Sequence, residues 1–130
     1  MESLQIRTGR IRLEILDDTG NSRGVFSFNP TDVESAKKVM NLQHELTVKN
    51  KEFTDKANAC TQPEEQVDLL NEIVNYFEGV IDEIFGAGSS LTLFGNDKSL
   101  SMFYDFFDGI MPYYQRASEQ RMAKYIKPKE

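Results

Sequence analysis

The length and charge of this chain already exclude several classes of protein. A chain of 130 residues is long enough for one domain with a hydrophobic core, and its single cysteine excludes a disulfide framework within the chain. No apolar run approaches the roughly 18 residues of a membrane span, and the N-terminus lacks the apolar segment of a signal peptide. Residues 62–108 hold ten acidic residues and one lysine, a balance that repels phosphate backbones. We therefore expect a single domain over residues 1–130 that binds neither nucleic acid nor a membrane.

The N-terminal part, residues 3–28, is predicted to form a β-hairpin. Charged and apolar residues alternate over residues 10–15, and after a segment dense in turn-forming residues, 17–24, a second alternating run follows at residues 25–28. The residues that this alternation places on the inner face are Ile11, Leu13, Ile15, Phe26 and Phe28. Because an isolated two-stranded hairpin is marginally stable in water, it must pack on a helix or pair with another chain.

The remainder is predicted to be helical over residues 32–125. The first helix follows Asn29-Pro30, has Thr31 or Asp32 as its cap, and runs to about residue 57. The second is the clearest prediction, and its apolar face is Val67, Leu70, Ile73, Val74, Phe77, Val80, Ile81 and Ile84. Thr61 and Glu64 have the spacing of a capping box at its start, and Gly86 is predicted to end it as a left-handed cap.

A short connector precedes the last helix. Residues 91–94 are predicted to form one helical turn that ends at Gly95, and the last helix then runs from Lys98 to about Tyr125 with Asp97 as its cap. Pro112 lies inside this helix and should kink it, because proline removes a backbone hydrogen bond. Residues 126–130 are predicted to be a frayed tail. Together these elements predict a mostly helical α+β fold, with the hairpin packed on three main helices.

The last helix carries more aromatic residues than one contact face requires. Either the hairpin and the other helices enclose it completely, or one of its stripes is an interface for self-association or for a helical client. Phe, Tyr and Met are enriched in such interfaces. The residues predicted for protein interaction are Leu91, Leu93, Phe94, Met102, Phe103, Phe106, Phe107, Met111, Tyr113 and Tyr114.

Several features resemble sites of chemistry, and each has a simpler structural explanation. The segment GAGSS (residues 86–90) follows a helix C-terminus, where the dipole disfavours a phosphate, so a cap and turn is favoured. His44 and Cys60 lack the neighbouring motifs of nucleophilic catalysis. Four carboxylates were also considered, and they are expected to form a solvated acidic face: Asp82, Glu83, Asp105 and Asp108. If the protein were a hydrolase or transferase that used Asp82, Asp105 or His44, these side chains should converge on a deep pocket. We predict a non-enzymatic protein with no metal and no cofactor.

Four short segments have a distinctive order and spacing, namely Phe28–Asp32, Ile81–Gly86, Phe94–Gly95 and Phe106–Tyr114. In these segments the chain resembles the small tail assembly chaperones of long-tailed bacteriophages and prophages of Gram-positive hosts. The resemblance implies a non-enzymatic role in the cytoplasm of the host bacterium. Such proteins bind the long, helical tape measure protein before the tail tube polymerises around it, can form homo-oligomers, and are absent from the finished particle. The alternative hypothesis is a structural or adaptor component of the particle, in the tail or at the head–tail connection.

Overall fold

The computed structural model describes residues 1–125 and confirms the predicted class, a mostly helical α+β fold with an N-terminal hairpin. The frayed tail predicted for residues 126–130 lies outside the described residues. The elements in chain order are β1 (Ile11–Leu16), β2 (Ser22–Phe28), α1 (Val33–Ala59), α2 (Pro63–Phe85), α3 (Ser89–Phe94) and α4 (Leu100–Tyr125). The buried residues form one cluster, to which the hairpin and the helices all contribute.

The hairpin has the predicted inner face. Strands β1 and β2 are antiparallel, with Leu13 opposite Phe26 and Ile11 opposite Phe28. Both phenylalanines are buried, whereas Ile11, Leu13 and Ile15 of β1 are half-buried and pack against the core. The inner face of β1 is therefore covered less completely than that of β2.

The prediction that the hairpin begins at residue 3 is wrong, because β1 begins at Ile11. The carbonyl of Thr8 instead accepts hydrogen bonds from the side-chain amide of Asn29 and the hydroxyl of Thr31, each at 2.8 Å. Gly9 has a φ of +83°, and a Cβ there would collide with the Thr31 side chain. These contacts turn the chain before β1, and they leave residues 1–8, which we call the N-terminal arm, exposed and outside the hairpin.

Helices α1 and α2 form the second part of the fold. The carboxylate of Asp32 caps α1 by accepting a hydrogen bond from the amide of Glu34 at 3.3 Å, one of the two predicted caps. Residues 60–62 connect the helices, which pack side by side. The residues that α1 buries are Ala36, Val39, Leu42 and Phe53.

Three details predicted for α2 are wrong. Its cap is Gln62 with no side-chain hydrogen bond, and the amide of Thr61 donates to the carboxylate of Glu65 at 3.3 Å, so there is no capping box with Glu64. Val67 and Leu70 are exposed while Leu69 is buried, and the two exposed residues line an open pocket together with Leu100, where α4 begins. At the other end, Gly86 has φ 112° and ψ 152°, so the left-handed helical conformation belongs to Gly88 instead.

Helix α4 closes the core. It begins two residues later than predicted, and Asp97 lies 3.5 Å from the guanidinium of Arg23 in an exposed ion pair. The helix continues through Pro112. Its buried residues are Phe103, Phe106, Phe107, Ile110, Tyr114 and Ala117.

The hydroxyl of Tyr114 lies 2.9 Å from that of Ser35 on α1, and burial raises the pKa of this tyrosine. This hydrogen bond joins the middle of α4 to the start of α1.

Candidate functional site: a cleft between the hairpin and helix α4

The short helix α3 forms part of the site, and contacts with the end of α2 fix its position. Gly88, in the left-handed conformation, reverses the chain after α2, and the carboxylate of Asp82 accepts a hydrogen bond from the amide of Ser90 at 2.8 Å. The Asp82 carboxylate thus satisfies a free amide in the first turn of α3 and ties this helix to the end of α2. As a result α3 lies against β2 and α2, with Phe94 buried.

Replacement of Asp82 by alanine should therefore lower the free energy of unfolding by about 1 kcal/mol, the usual cost of losing such a cap. Urea unfolding followed by circular dichroism measures this change. The matched control is Glu83→Ala, which removes an exposed carboxylate from the adjacent position of α2. Equal stability of the Asp82→Ala and Glu83→Ala proteins would contradict the anchoring role of Asp82.

An open cleft of about 320 Å³ lies between the hairpin, α3 and α4. Its walls come from both strands, from the turn between them, from one face of α3 and from one face of α4. The lining residues are Leu13, Ile15, Leu16, Asp17, Asp18, Arg23, Phe26, Leu93, Phe94, Met102, Asp105, Phe106, Gly109, Ile110 and Tyr113. Gly109 belongs to this wall, and among residues 1–125 no other part of the fold beyond its own stretch of helix comes within 4 Å of the position of a Cβ there.

The floor of the cleft is aromatic. The ring of Phe106 lies edge-on to those of Phe26 and Phe94, with centroid separations of 5.6 and 5.9 Å. Such edge-to-face pairs stabilise one arrangement of the rings, so the floor is preorganised. Leu93 and Met102 remain only half-buried beside these rings, which leaves apolar surface available to a ligand.

The rim of the cleft is acidic. Asp17, Asp18 and Asp105 line it together with one cation, Arg23. Hydrogen bonds from the hydroxyl of Thr19, and then from the amide of Asn21, hold the pKa of Asp17 below its usual value, so this carboxylate stays ionised at neutral pH. Arg23 is already paired with Asp97 outside the cleft. The rim therefore favours a ligand that presents basic groups beside an apolar surface.

The ten residues predicted for protein interaction divide into three groups. Five are buried in the core, namely Phe94, Phe103, Phe106, Phe107 and Tyr114. Leu93, Met102, Met111 and Tyr113 are half-buried, and Leu91 is exposed. Those that line the cleft are Leu93, Phe94, Met102, Phe106 and Tyr113.

Sequence reasoning missed the contribution of the hairpin to this site. Leu13 and Ile15 were predicted to be inner-face residues, but nothing in their alternation indicated that they would face a cleft. From the sequence, Asp17 and Asp18 could be recognised only as turn-forming residues. Their role in the rim depends on the packing of the turn beside α4.

The other residues considered for chemistry lie apart from one another. Of Asp82, Asp105 and His44, only Asp105 lines the cleft, while Asp82 anchors α3 and His44 is exposed on α1. The thiol of Cys60 donates to the carbonyl of Lys56 at 3.3 Å. The GAGSS segment forms the turn between α2 and α3 and the start of α3. Within residues 1–125, no group of three or more His, Cys, Asp or Glu residues is arranged to hold a metal ion.

Comparison with known proteins places the chain in a family. A model for a family of unknown function, DUF6673, matches residues 23–130. The chain belongs to the DUF6673 family. The matched region includes all of β2 except its first residue, the four helices and the greater part of the lining of the cleft, whereas β1 and the N-terminal arm precede it. No curated protein and no solved structure matches this DUF6673 chain.

In the part of the chain that the structure describes, no helix has the length and apolar character needed to cross a membrane.

Proposed function

We propose that this protein is a non-enzymatic tail assembly chaperone of a bacteriophage or prophage, which binds the tape measure protein in the host cytoplasm and keeps it soluble during tail assembly. The observation that carries the proposal is the cleft, an open apolar site with an aromatic floor and an acidic rim. The resemblance of four segments to this class of chaperone supplies the identity of the client.

The chemistry of the cleft suits one side of a helical or extended client segment. Leu93 and Met102 offer apolar contacts that adapt to different side chains, and methionine is well suited to this because its side chain is flexible. Asp17, Asp18 and Asp105 would attract lysines or arginines that flank the apolar residues of the client. A site of this kind covers exposed apolar stripes, which a long helical protein presents until it is assembled.

The test is co-expression of this protein with overlapping fragments of the tape measure protein of the same phage or prophage. We expect at least one fragment that is insoluble alone to become soluble and to co-purify with the chaperone. The control is co-expression of the same fragments with the Asp17→Lys/Asp105→Lys variant, which reverses the charge on the rim. If no fragment gains solubility or co-purifies, the proposal is wrong.

Mass spectrometry of mature particles separates this function from the alternative. A chaperone is released before the particle is complete, so peptides of this protein should be absent from purified particles. Their presence in stoichiometric amount would instead favour a structural or adaptor component.

A further inference from the structure

We propose that the N-terminal arm of one molecule binds in the cleft of a second copy of this chain, as an additional strand along the free edge of β1. The proposal requires only this protein and does not depend on the identity of a client. The arm and the cleft belong to different molecules in this arrangement, so a second copy occupies the cleft when no client is bound.

The arm carries apolar side chains that its own molecule does not cover. Leu4 and Ile6 are 84% and 77% exposed. They alternate with Gln5 and Arg7, which is the pattern of a strand with one apolar face and one polar face. A segment with this pattern buries its apolar face once it joins a sheet that already has a hydrophobic side.

Strand β1 offers such a place. Among residues 1–125 it pairs only with β2, so the backbone groups along its other edge have no strand partner. Unpaired edges of this kind accept a further strand, and the main-chain hydrogen bonds then supply affinity while side chains supply selectivity. Leu13 and Ile15 mark the inner face of β1 at the cleft. Alternate side chains of an added strand would therefore lie over the cleft beside them.

Charge selects the register of the added strand. In an antiparallel register that places Arg7 opposite Glu14, Ile6 lies opposite Ile15 and Leu4 points to the same inner face. Opposite charges directly across two strands stabilise the pair. Arg7 and Glu14 then lie on the outer face of the sheet, while Leu4 and Ile6 lie on the side of the cleft.

The same arm is poorly placed to fold back on its own β1. A tight turn at Gly9 and Arg10 would put Arg7 directly opposite Arg12, and like charges in that position destabilise a strand pair. The turn would also need the carbonyl of Thr8, which already accepts hydrogen bonds from Asn29 and Thr31. In this structure the arm is exposed and does not pair with its own β1, so it is available to a second molecule.

Disulfide trapping tests the arrangement directly. Two variants are made in a Cys60→Ser background, one with Arg7→Cys and one with Glu14→Cys, and one of them carries a larger tag. Residues directly opposite on paired strands are close enough for a disulfide, so mixing and mild oxidation should give the mixed-tag dimer in good yield. A Lys37→Cys partner in place of Glu14→Cys should not give it, because Lys37 is exposed on α1 away from the cleft.

Two further measurements decide the outcome. Light scattering across a concentration series should show association of the unmodified protein, weakened about tenfold or more by Leu4→Ser/Ile6→Ser through the loss of buried apolar surface. The control Ser3→Thr/Gln5→Ser changes the opposite face of the arm and should associate normally. A third protein carries both Arg7→Cys and Glu14→Cys in the same Cys60→Ser background and is oxidised alone. The proposal is overturned if this double variant forms only a disulfide within one chain, or if the unmodified protein remains monomeric and no mixed dimer forms.

Discussion

Replacement of Phe106 by alanine is expected to lower the free energy of unfolding by about 3–5 kcal/mol, the range for removing a buried aromatic ring. The ring lies 5.6 Å from that of Phe26, 5.7 Å from Phe85 and 5.3 Å from Phe107. It therefore joins the hairpin, the end of α2 and α4 in one cluster, and its loss leaves a cavity that these elements cannot all close.

Chemical denaturation, with near-ultraviolet circular dichroism to follow the aromatic packing, measures the effect. Tyr104→Ala on the same helix is the matched control, since its ring is 56% exposed and its loss should cost less than about 1 kcal/mol. Comparable losses in the two variants would mean that Phe106 does not lie in the core.

Replacement of Met102 by serine is expected to weaken binding of a tape measure fragment by about 10- to 100-fold, because burial of one large apolar side chain contributes about 1.5–3 kcal/mol. Met102 lines the cleft and is only half-buried in the free protein. Its substitution should therefore reduce the free energy of unfolding by about 1 kcal/mol, much less than the change at Phe106.

Fluorescence titration with a labelled fragment that co-purifies with the protein gives the binding constants. The matched control is Met122→Ser, which removes an exposed methionine of the same helix that lies outside the cleft. If the Met122→Ser protein loses as much affinity as the Met102→Ser protein, the cleft is not the client site. Together, the Phe106 and Met102 variants separate a residue that holds the fold from one that contacts a partner.

Local patterns in the sequence were sufficient for the element types. Alternation predicted the strand pair and its inner residues, since a period of two leaves little choice once one face must be buried. Helical spacing predicted α2 and α4, and the glycines predicted the turns around α3. These signals depend on residues close together in the chain.

The errors came where contacts between distant residues compete with a local pattern. Residues 3–7 alternate like a strand, yet the side chains of Asn29 and Thr31 hold Thr8 and turn the chain before β1. Val67 and Leu70 have helical spacing, yet they stay exposed beside an open pocket at the start of α4. In both cases the apolar pattern is present in the sequence. What the sequence does not show is whether a distant element packs against that apolar face.

The sequence by itself determined the fold class, the acidic centre of the chain and the aromatic surplus of α4. Only the tertiary structure decided which of those aromatic residues are core. Helical periodicity gives the angle of each side chain around the helix axis, but the depth of burial depends on which neighbours cover that angle. Here Phe94 of α3 packs against Phe103 and Phe106, and Phe26 of β2 packs against Phe106. Met102 and Tyr113 instead line the open cleft and stay half-buried.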